Sequence, residues 1–148
     1  MNAPPVATAV TRIAAPAEAV WRVLVALDAY ALWHPALSFD AKPEDVGVGA
    51  VVPAHISDDE EPGQEVTLTI VEVEAPHRLV WEGGSPDALL GRHTFVLTQQ
   101  QDDTTEFTDS EEFYGPAAPD LVPALGQLTD RSAQYGAALR TRVEHLAD

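Results

Sequence analysis

The stretch Pro119–Leu146, PDLVPALGQLTDRSAQYGAALRTRVEHL, decides how the rest of the chain must be arranged. Leu121, Leu125, Leu128, Tyr135, Leu139, Val143 and Leu146 recur at intervals of three, four and seven residues, which draws one apolar stripe along a long helix. Pro123 falls in the first turns, where a missing N–H does little harm. Gly126 and Gly136 interrupt the pattern, and each costs about 1 kcal/mol relative to alanine in a helix. Their presence points to a close neighbour or a bend. A stripe of this length needs a surface to cover.

The residues before it supply that surface. GAVVPAHI (49–56), QEVTLTIVEVE (64–74), HRLVWEGG (77–84), GRHTFVLTQQ (91–100) and TTEFTDSEEFYG (104–115) are rich in β-branched and aromatic types. DDEEPG, APH, GGSPD and QDDT separate them with turn chemistry, and the run Asp58 to Glu61 reads as a solvated turn. Successive strands with short connections argue an antiparallel meander. Further upstream, PVATAVTRI (5–13) reads as an opening strand. Pro16 and Glu18 then suit the first turn of a helix, with Val20, Leu24 and Leu27 at helical spacing and Trp21 and Val23 widening the apolar face. That helix is predicted to run until just before Pro35, which leaves His34 extended. The order is strand, helix, strand meander, long helix: an α+β fold in which a sheet with one apolar face is covered by the C-terminal helix.

Composition bounds the task. A chain of 148 residues has room for one domain, residues 1–148, with a substantial core. The formal charge of −16, with Arg131, Arg140 and Arg142 interleaved with Asp130 and Glu144, opposes nucleic acid and anionic membranes as partners. The absence of cysteine excludes disulfides, thiolate metal sites and cysteine nucleophiles. MNAPPVATAV lacks a charged region before an apolar run, and no apolar stretch nears the roughly 18 residues that span a bilayer, so a soluble, cytoplasmic protein is expected. No HExxH, phosphate loop, dinucleotide fingerprint or Gly-x-Ser-x-Gly elbow occurs, and neither a cofactor nor a metal is expected.

IAAPAEAVWRVLVALDAYALWHPAL (13–37) resembles the opening strand, helix and Trp-containing turn of the START-like, Bet v 1-like (SRPBCC) superfamily, which includes polyketide cyclase/dehydrase-like proteins. EAPHRLVWEGG (74–84), GRHTFVLT (91–98) and TTEFTDSEEFYG (104–115) resemble its central strands, and LTDRSAQYGAALRTRVE (128–144) its closing helix. The resemblance implies a helix-grip fold: a curved antiparallel sheet of about seven strands wrapped on the C-terminal helix, with a ligand cavity between them. It implies a hydrophobic small-molecule ligand, lipid-, polyketide- or aromatic-natural-product-like. Some members cyclise or dehydrate polyketides, some sequester toxic natural products, and a cochaperone branch binds proteins.

Strand alternation nominates the chemistry. His93, Phe95 and Leu97 share one face of their strand, and Thr105, Phe107, Asp109, Glu111 and Phe113 share one face of the next. The aromatic residues mark these as inward faces, so His93, Asp109 and Glu111 point where the apolar lining points. A histidine and two acids around an enclosed space can serve as general acid and base, with His93 as base and Asp109 or Glu111 orienting it or donating a proton. The alternative is that a bulge resets the register and the acids face water at a rim. Trp33, Trp81, Phe95, Phe107, Phe113 and Tyr135 are the expected ligand-binding side chains, with Tyr30 and Phe39 further candidates for the entrance. His34 alternates away from Trp33 and is expected to face solvent or cap a helix. Three functions remain open: a binding or sequestering protein, a cyclase or dehydratase, and an interaction module. The chain is expected to be a monomer or a homodimer.

Overall fold

A computed structural model describes residues 3–57 and 63–147, so the acidic run at Asp58 to Glu61 lies outside the described residues. Seven strands form one antiparallel sheet: β1 (Val6–Ile13), β2 (Leu37–Phe39), β3 (Val51–Ile56), β4 (Gln64–Glu74), β5 (Arg78–Gly84), β6 (Leu90–Gln99) and β7 (Thr105–Tyr114). Their order across the sheet is β1-β7-β6-β5-β4-β3-β2, so β1 pairs with the last strand and the rest meander outward from it. The order of elements predicts an α+β sheet covered by the C-terminal helix, and the arrangement is the helix-grip that the resemblance implies.

The first helix, α1, spans Ala17–Val25. Pro16 precedes it in an extended conformation, and the Gln99 side chain accepts the Ala17 N–H at 2.8 Å in place of a local cap. Ala17, Val20, Val23 and Leu24 form the buried face. The predicted continuation to Pro35 does not occur. A 3-10 segment at Leu27–Leu32 replaces it after Ala26 leaves helical geometry. The reason lies in packing: Leu27 and Tyr30 are both fully buried and stand three apart, the spacing that a 3-10 turn eclipses and an α-helix splays. The Tyr30 hydroxyl also donates to the Leu24 carbonyl at 2.6 Å, which satisfies one of the acceptors that the helix end leaves open.

The second helix, α2, spans Leu125–Ala147, and a 3-10 segment at Ala118–Ala124 holds Pro123. Pro123 therefore sits before the α-helix rather than within its first turns. Tyr135, Leu139 and Val143 are buried along the stripe, whereas Leu146 is 56% exposed. Gly136 accounts for the close seating of α2. A Cβ built there would lie 2.1 Å from Thr11 Oγ1 and 3.0 Å from Thr11 Cβ, so the helix backbone rests directly on β1. Gly126 has nothing within 4 Å of such a Cβ, so close approach does not explain it. At the far end of α2, Glu144 accepts the Ala14 N–H at 2.8 Å and ties the helix to the β1–α1 corner.

Ile13, Val20, Leu24, Leu27, Leu79, Phe95, Leu97, Phe107 and Leu139 make the fully buried core between sheet, α1 and the C-terminal half of α2. The N-terminal half of α2 stands over a different part of the sheet, and there the interior is open.

Candidate functional site

β6 and β7 pair without interruption, with His93 opposite Glu111, Phe95 opposite Asp109 and Leu97 opposite Phe107. The register shift in the sheet falls in β4, between Ile70 and Glu72, and leaves these strands in step. Directly paired residues share a face, so Trp81, His93 and Glu111 form one row across β5, β6 and β7. Asp109 stands diagonally beside His93 in the next row.

A cavity of about 400 Å³ lies over these rows. Trp81, His93, Asp109 and Glu111 form its floor, Leu128, Arg131, Ser132, Gln134 and Tyr135 of α2 its roof, and His34 to Leu37 one side. Ile56, Ser57 and Leu68 complete the wall. The volume is at the lower end of the roughly 300–1,000 Å³ typical of small-molecule sites, which suits a compact guest of one or two rings. A larger concavity of about 610 Å³ over β2, β3 and β4 offers only exposed titratable groups, Asp40, His55 and Glu65, and lacks comparable chemistry.

The sequence-nominated residues divide between two layers. His93, Asp109, Glu111, Trp81 and Tyr135 line the cavity. Phe95 and Phe107 do not; both are fully buried behind it, with Phe95 4.8 Å from Trp81, 4.3 Å from His93 and 5.1 Å from Tyr135 between ring centroids. Phe113 lies buried near Gly91, outside the cavity wall. Trp33 packs on Tyr30, with centroids 4.6 Å apart, and also stays outside the wall. Phe39 buttresses Trp81 at 5.5 Å from the adjoining edge strand, β2. Facing inward and touching the cavity are thus different properties: Phe95 and Phe107 pack behind Tyr135, while the polar residues occupy the open end.

His93 Nε2 bonds to Asp109 Oδ1, and the two side chains are 16% and 1% exposed. Burial pulls the His93 pKa down, but the charge of Asp109, its hydrogen bond and the charge of Glu111 outweigh that and hold it above its ordinary value. The two carboxylates thus favour the imidazolium form of His93 relative to a free histidine. Asp109 Oδ2 is buried with no hydrogen-bond partner among the described residues. Glu111 lies over Gly91, where a Cβ would sit 2.8 Å from Glu111 Oε2. Among the described residues no group of three His, Asp or Glu side chains is arranged to hold a metal ion.

A second polar chain runs through the roof. Tyr30 gives its single hydroxyl proton to Leu24, so the 2.7 Å contact between Tyr30 and Tyr135 places Tyr135 as donor and Tyr30 as acceptor. Burial raises the Tyr135 pKa well above its ordinary value, with Tyr30 and Asp109 adding to the effect, so the phenol stays protonated.

His34 departs from expectation. It lines the cavity instead of facing solvent, with its ring centroid 4.4 Å from that of Tyr135. Nδ1 accepts the N–H groups of Ala36 at 3.1 Å and Leu37 at 2.9 Å, which folds the Pro35 corner around the imidazole. Simple alternation fails because the segment turns at Pro35 rather than running straight. Sequence reasoning also misses Arg131, Ser132 and Gln134; Ser132, only 7% exposed, stands one turn from both Leu128 and Tyr135, a spacing that could have found it, whereas Arg131 and Gln134 are exposed at the cavity's margin.

No helix among the described residues is long and apolar enough to cross a membrane. No curated protein sequence matches the chain. Among solved structures, the aromatase/cyclase Zhui from Streptomyces sp. R1128 is 17% identical over 97% of this chain and 95% of its own, with a TM-score of 0.73. A norcoclaurine synthase point mutant from Thalictrum flavum, in complex with a transition-state analogue, is 19% identical over 97% and 96%, with a TM-score of 0.69. DynU16, from the dynemicin biosynthetic locus, is 17% identical with a TM-score of 0.72; 95% of this chain spans 47% of that one. At such identities these likenesses establish the fold alone. The family described as polyketide cyclase / dehydrase and lipid transport matches residues 5–146, nearly the whole length, and the chain belongs to that family.

Proposed function

We propose that the protein is a general acid–base enzyme acting on a compact, partly aromatic carbonyl compound, which it cyclises by an aldol-type step and dehydrates. The observation that carries this reading is the His93–Asp109 pair on the cavity wall, its second carboxylate oxygen without a partner among the described residues. A cavity built only to solvate an apolar guest has no need of a buried ion pair, because burying charge costs free energy that apolar packing avoids. The raised pKa of His93 exchanges the roles expected from the sequence: the histidine is the acid and a carboxylate the base. In the proposed cycle a carboxylate of Asp109 or Glu111 takes a proton from carbon next to a ligand carbonyl. The resulting enolate carbon attacks a second carbonyl of the same molecule, and the His93 imidazolium protonates the new alkoxide. The hydroxyl so formed then leaves as water, with a proton from the carboxyl group, while neutral His93 takes a proton from the carbon alongside. The net change is one new carbon–carbon bond and one water lost, with every catalytic proton returned.

The aromatic floor and roof, Trp81 and Tyr135, also suit a protein that binds and sequesters a hydrophobic compound without altering it. The two readings part on one probe. 2-Tetralone, a bicyclic ketone, exchanges its C1 protons with D2O through its enolate, and 1H NMR follows the loss of signal. The enzyme reading predicts exchange at least ~10²-fold above buffer, with that enhancement lost in Asp109→Asn. A sequestering protein would raise its melting temperature with 2-tetralone yet leave the exchange rate at that of buffer.

A further inference from the structure

His34 is a buried histidine that the proposed proton transfers do not use, and its environment specifies its chemical state from three sides. Both Ala36 N–H and Leu37 N–H point at Nδ1, so that nitrogen must present its lone pair. In a neutral imidazole the proton then sits on Nε2. Burial, with the charge of His93 adding to it, lowers the His34 pKa to about 4, which keeps the ring neutral near pH 7. The titratable groups around the ring are His93 on β6, Asp109 and Glu111 on β7 and Tyr135 and Arg131 on α2, all lining the same cavity, and Tyr30, whose ring stacks on His34 at 5.9 Å. Nε2 is buried, without a hydrogen-bond partner among the described residues, so an acceptor oxygen reaches it when the adjoining cavity wall gives way slightly. A buried donor left unpaired is costly, and such groups ordinarily find a partner.

We infer that His34 is a neutral hydrogen-bond donor for a carbonyl or enolate oxygen of the guest, fixed in the Nε2–H form by the Ala36 and Leu37 amides. The inference rests on the proposed carbonyl substrate and deepens it: the guest must carry an acceptor oxygen on the His34 side of the cavity. A neutral imidazole donor stabilises a developing enolate without surrendering its own proton. It leaves His93 as the one histidine that delivers a proton. His34 is thus a specificity-determining residue, selecting ketones and phenolates over hydrocarbons of the same shape.

Two substitutions separate the functions of the two ring nitrogens. The Oδ1 of asparagine in His34→Asn overlays Nδ1 and can keep the Ala36 and Leu37 bonds, while its amide nitrogen is too short to place a donor at the Nε2 position. The amide nitrogen of glutamine in His34→Gln reaches toward the Nε2 position and restores a donor while the Nδ1 acceptor is lost. The readout is the ratio of dissociation constants for 2-tetralone and tetralin, the same bicycle without its oxygen, measured by ligand-observed NMR. The wild type should prefer the ketone by ~10-fold or more. His34→Asn should bind both equally, and His34→Gln should recover a preference for the ketone. Equal affinity of the wild type for the two compounds overturns the assignment of His34 while catalysed exchange of 2-tetralone would still stand. A ketone preference undiminished in His34→Asn overturns it as well. If neither compound binds the wild type, both the donor assignment and the carbonyl-enzyme reading fail.

Discussion

Asp109→Asn isolates what the ion pair does. The substitution is nearly isosteric, leaves an oxygen to accept from His93 Nε2, and removes the charge that opposes burial. In the wild type the folded His93 pKa is raised above 6.5, against the pull of desolvation, by Asp109 and then Glu111. His34 shows what burial does nearby without a carboxylate in contact: its pKa is lowered from 6.5 to about 4. His93 in the variant should therefore titrate below 6.5 rather than above it. The sign of the stability effect follows. A raised folded pKa gives stabilisation that is complete below 6.5 and is lost as pH rises through the folded value; a lowered one gives stability present above 6.5 and lost as pH falls. Wild type and variant thus diverge on the acid side. A tenfold change in proton affinity is worth about 1.36 kcal/mol, so the variant, whose folded His93 no longer takes up a proton more readily than the unfolded chain does, should be less stable than the wild type at pH 5.5 by ~1 kcal/mol or more. At pH 8.5 the gap should be smaller than at pH 5.5, because the less His93 is protonated the less it depends on the charge. Urea unfolding followed by tryptophan fluorescence gives both values, and imidazole NMR gives the titration of His93 itself. An equal gap at the two pH values, or a His93 midpoint unchanged by the substitution, would refute the electrostatic explanation of this pair.

Other consequences can be measured on the same material. Gly136→Ala should destabilise by about 1–3 kcal/mol despite its better helix propensity, because the new methyl overlaps Thr11, and Thr11→Ala in the same chain should recover most of the loss by removing the nearest atom, Oγ1. Tyr30→Phe should cost about 1–3 kcal/mol, since it strands the Leu24 carbonyl and the Tyr135 hydroxyl inside the core; a change below ~0.3 kcal/mol would show that water replaces the lost partner. Acid titration of stability should carry a His34 component of about 3 kcal/mol lost between pH 6.5 and about 4, because the unfolded chain takes up a proton that folded His34 refuses, and His34→Asn should flatten that component.

The parts of this molecule that could be read in advance are those fixed by periodicity. The helical stripe through Tyr135, Leu139 and Val143 is buried as its spacing requires, and the unbroken β6–β7 register carries His93, Asp109 and Glu111 to one face as alternation requires. What could not be read depends on contacts far apart in sequence. The first helix ends at Val25 because Leu27 and Tyr30 are drawn into a core built by β4, β5 and α2, and no local residue announces it. β2, Leu37–Phe39, is too short for a periodic signal and exists because it pairs with β3, yet it brings Phe39 against Trp81. Alternation puts His34 on the wrong side because two amides beyond Pro35 wrap around its ring. Phe95 and Phe107 face inward as expected, but the inward face is divided between a packed end and an open end, and only the packing of α2 on β1 sets the division.

A small carbonyl compound lodged between α2 and the sheet, with its ring against Trp81 and Tyr135, is what the proposed chemistry requires. Intermolecular NOEs between 2-tetralone and the assigned side chains detect that placement without relying on turnover. Cross-peaks are expected from the aromatic protons of the ligand to Trp81, Tyr135 and Leu128, with none to Pro53 or Thr67 of the larger concavity. Cross-peaks confined to Pro53 and Thr67 would put the guest on the other face of the sheet and end the case for an enclosed carbonyl site.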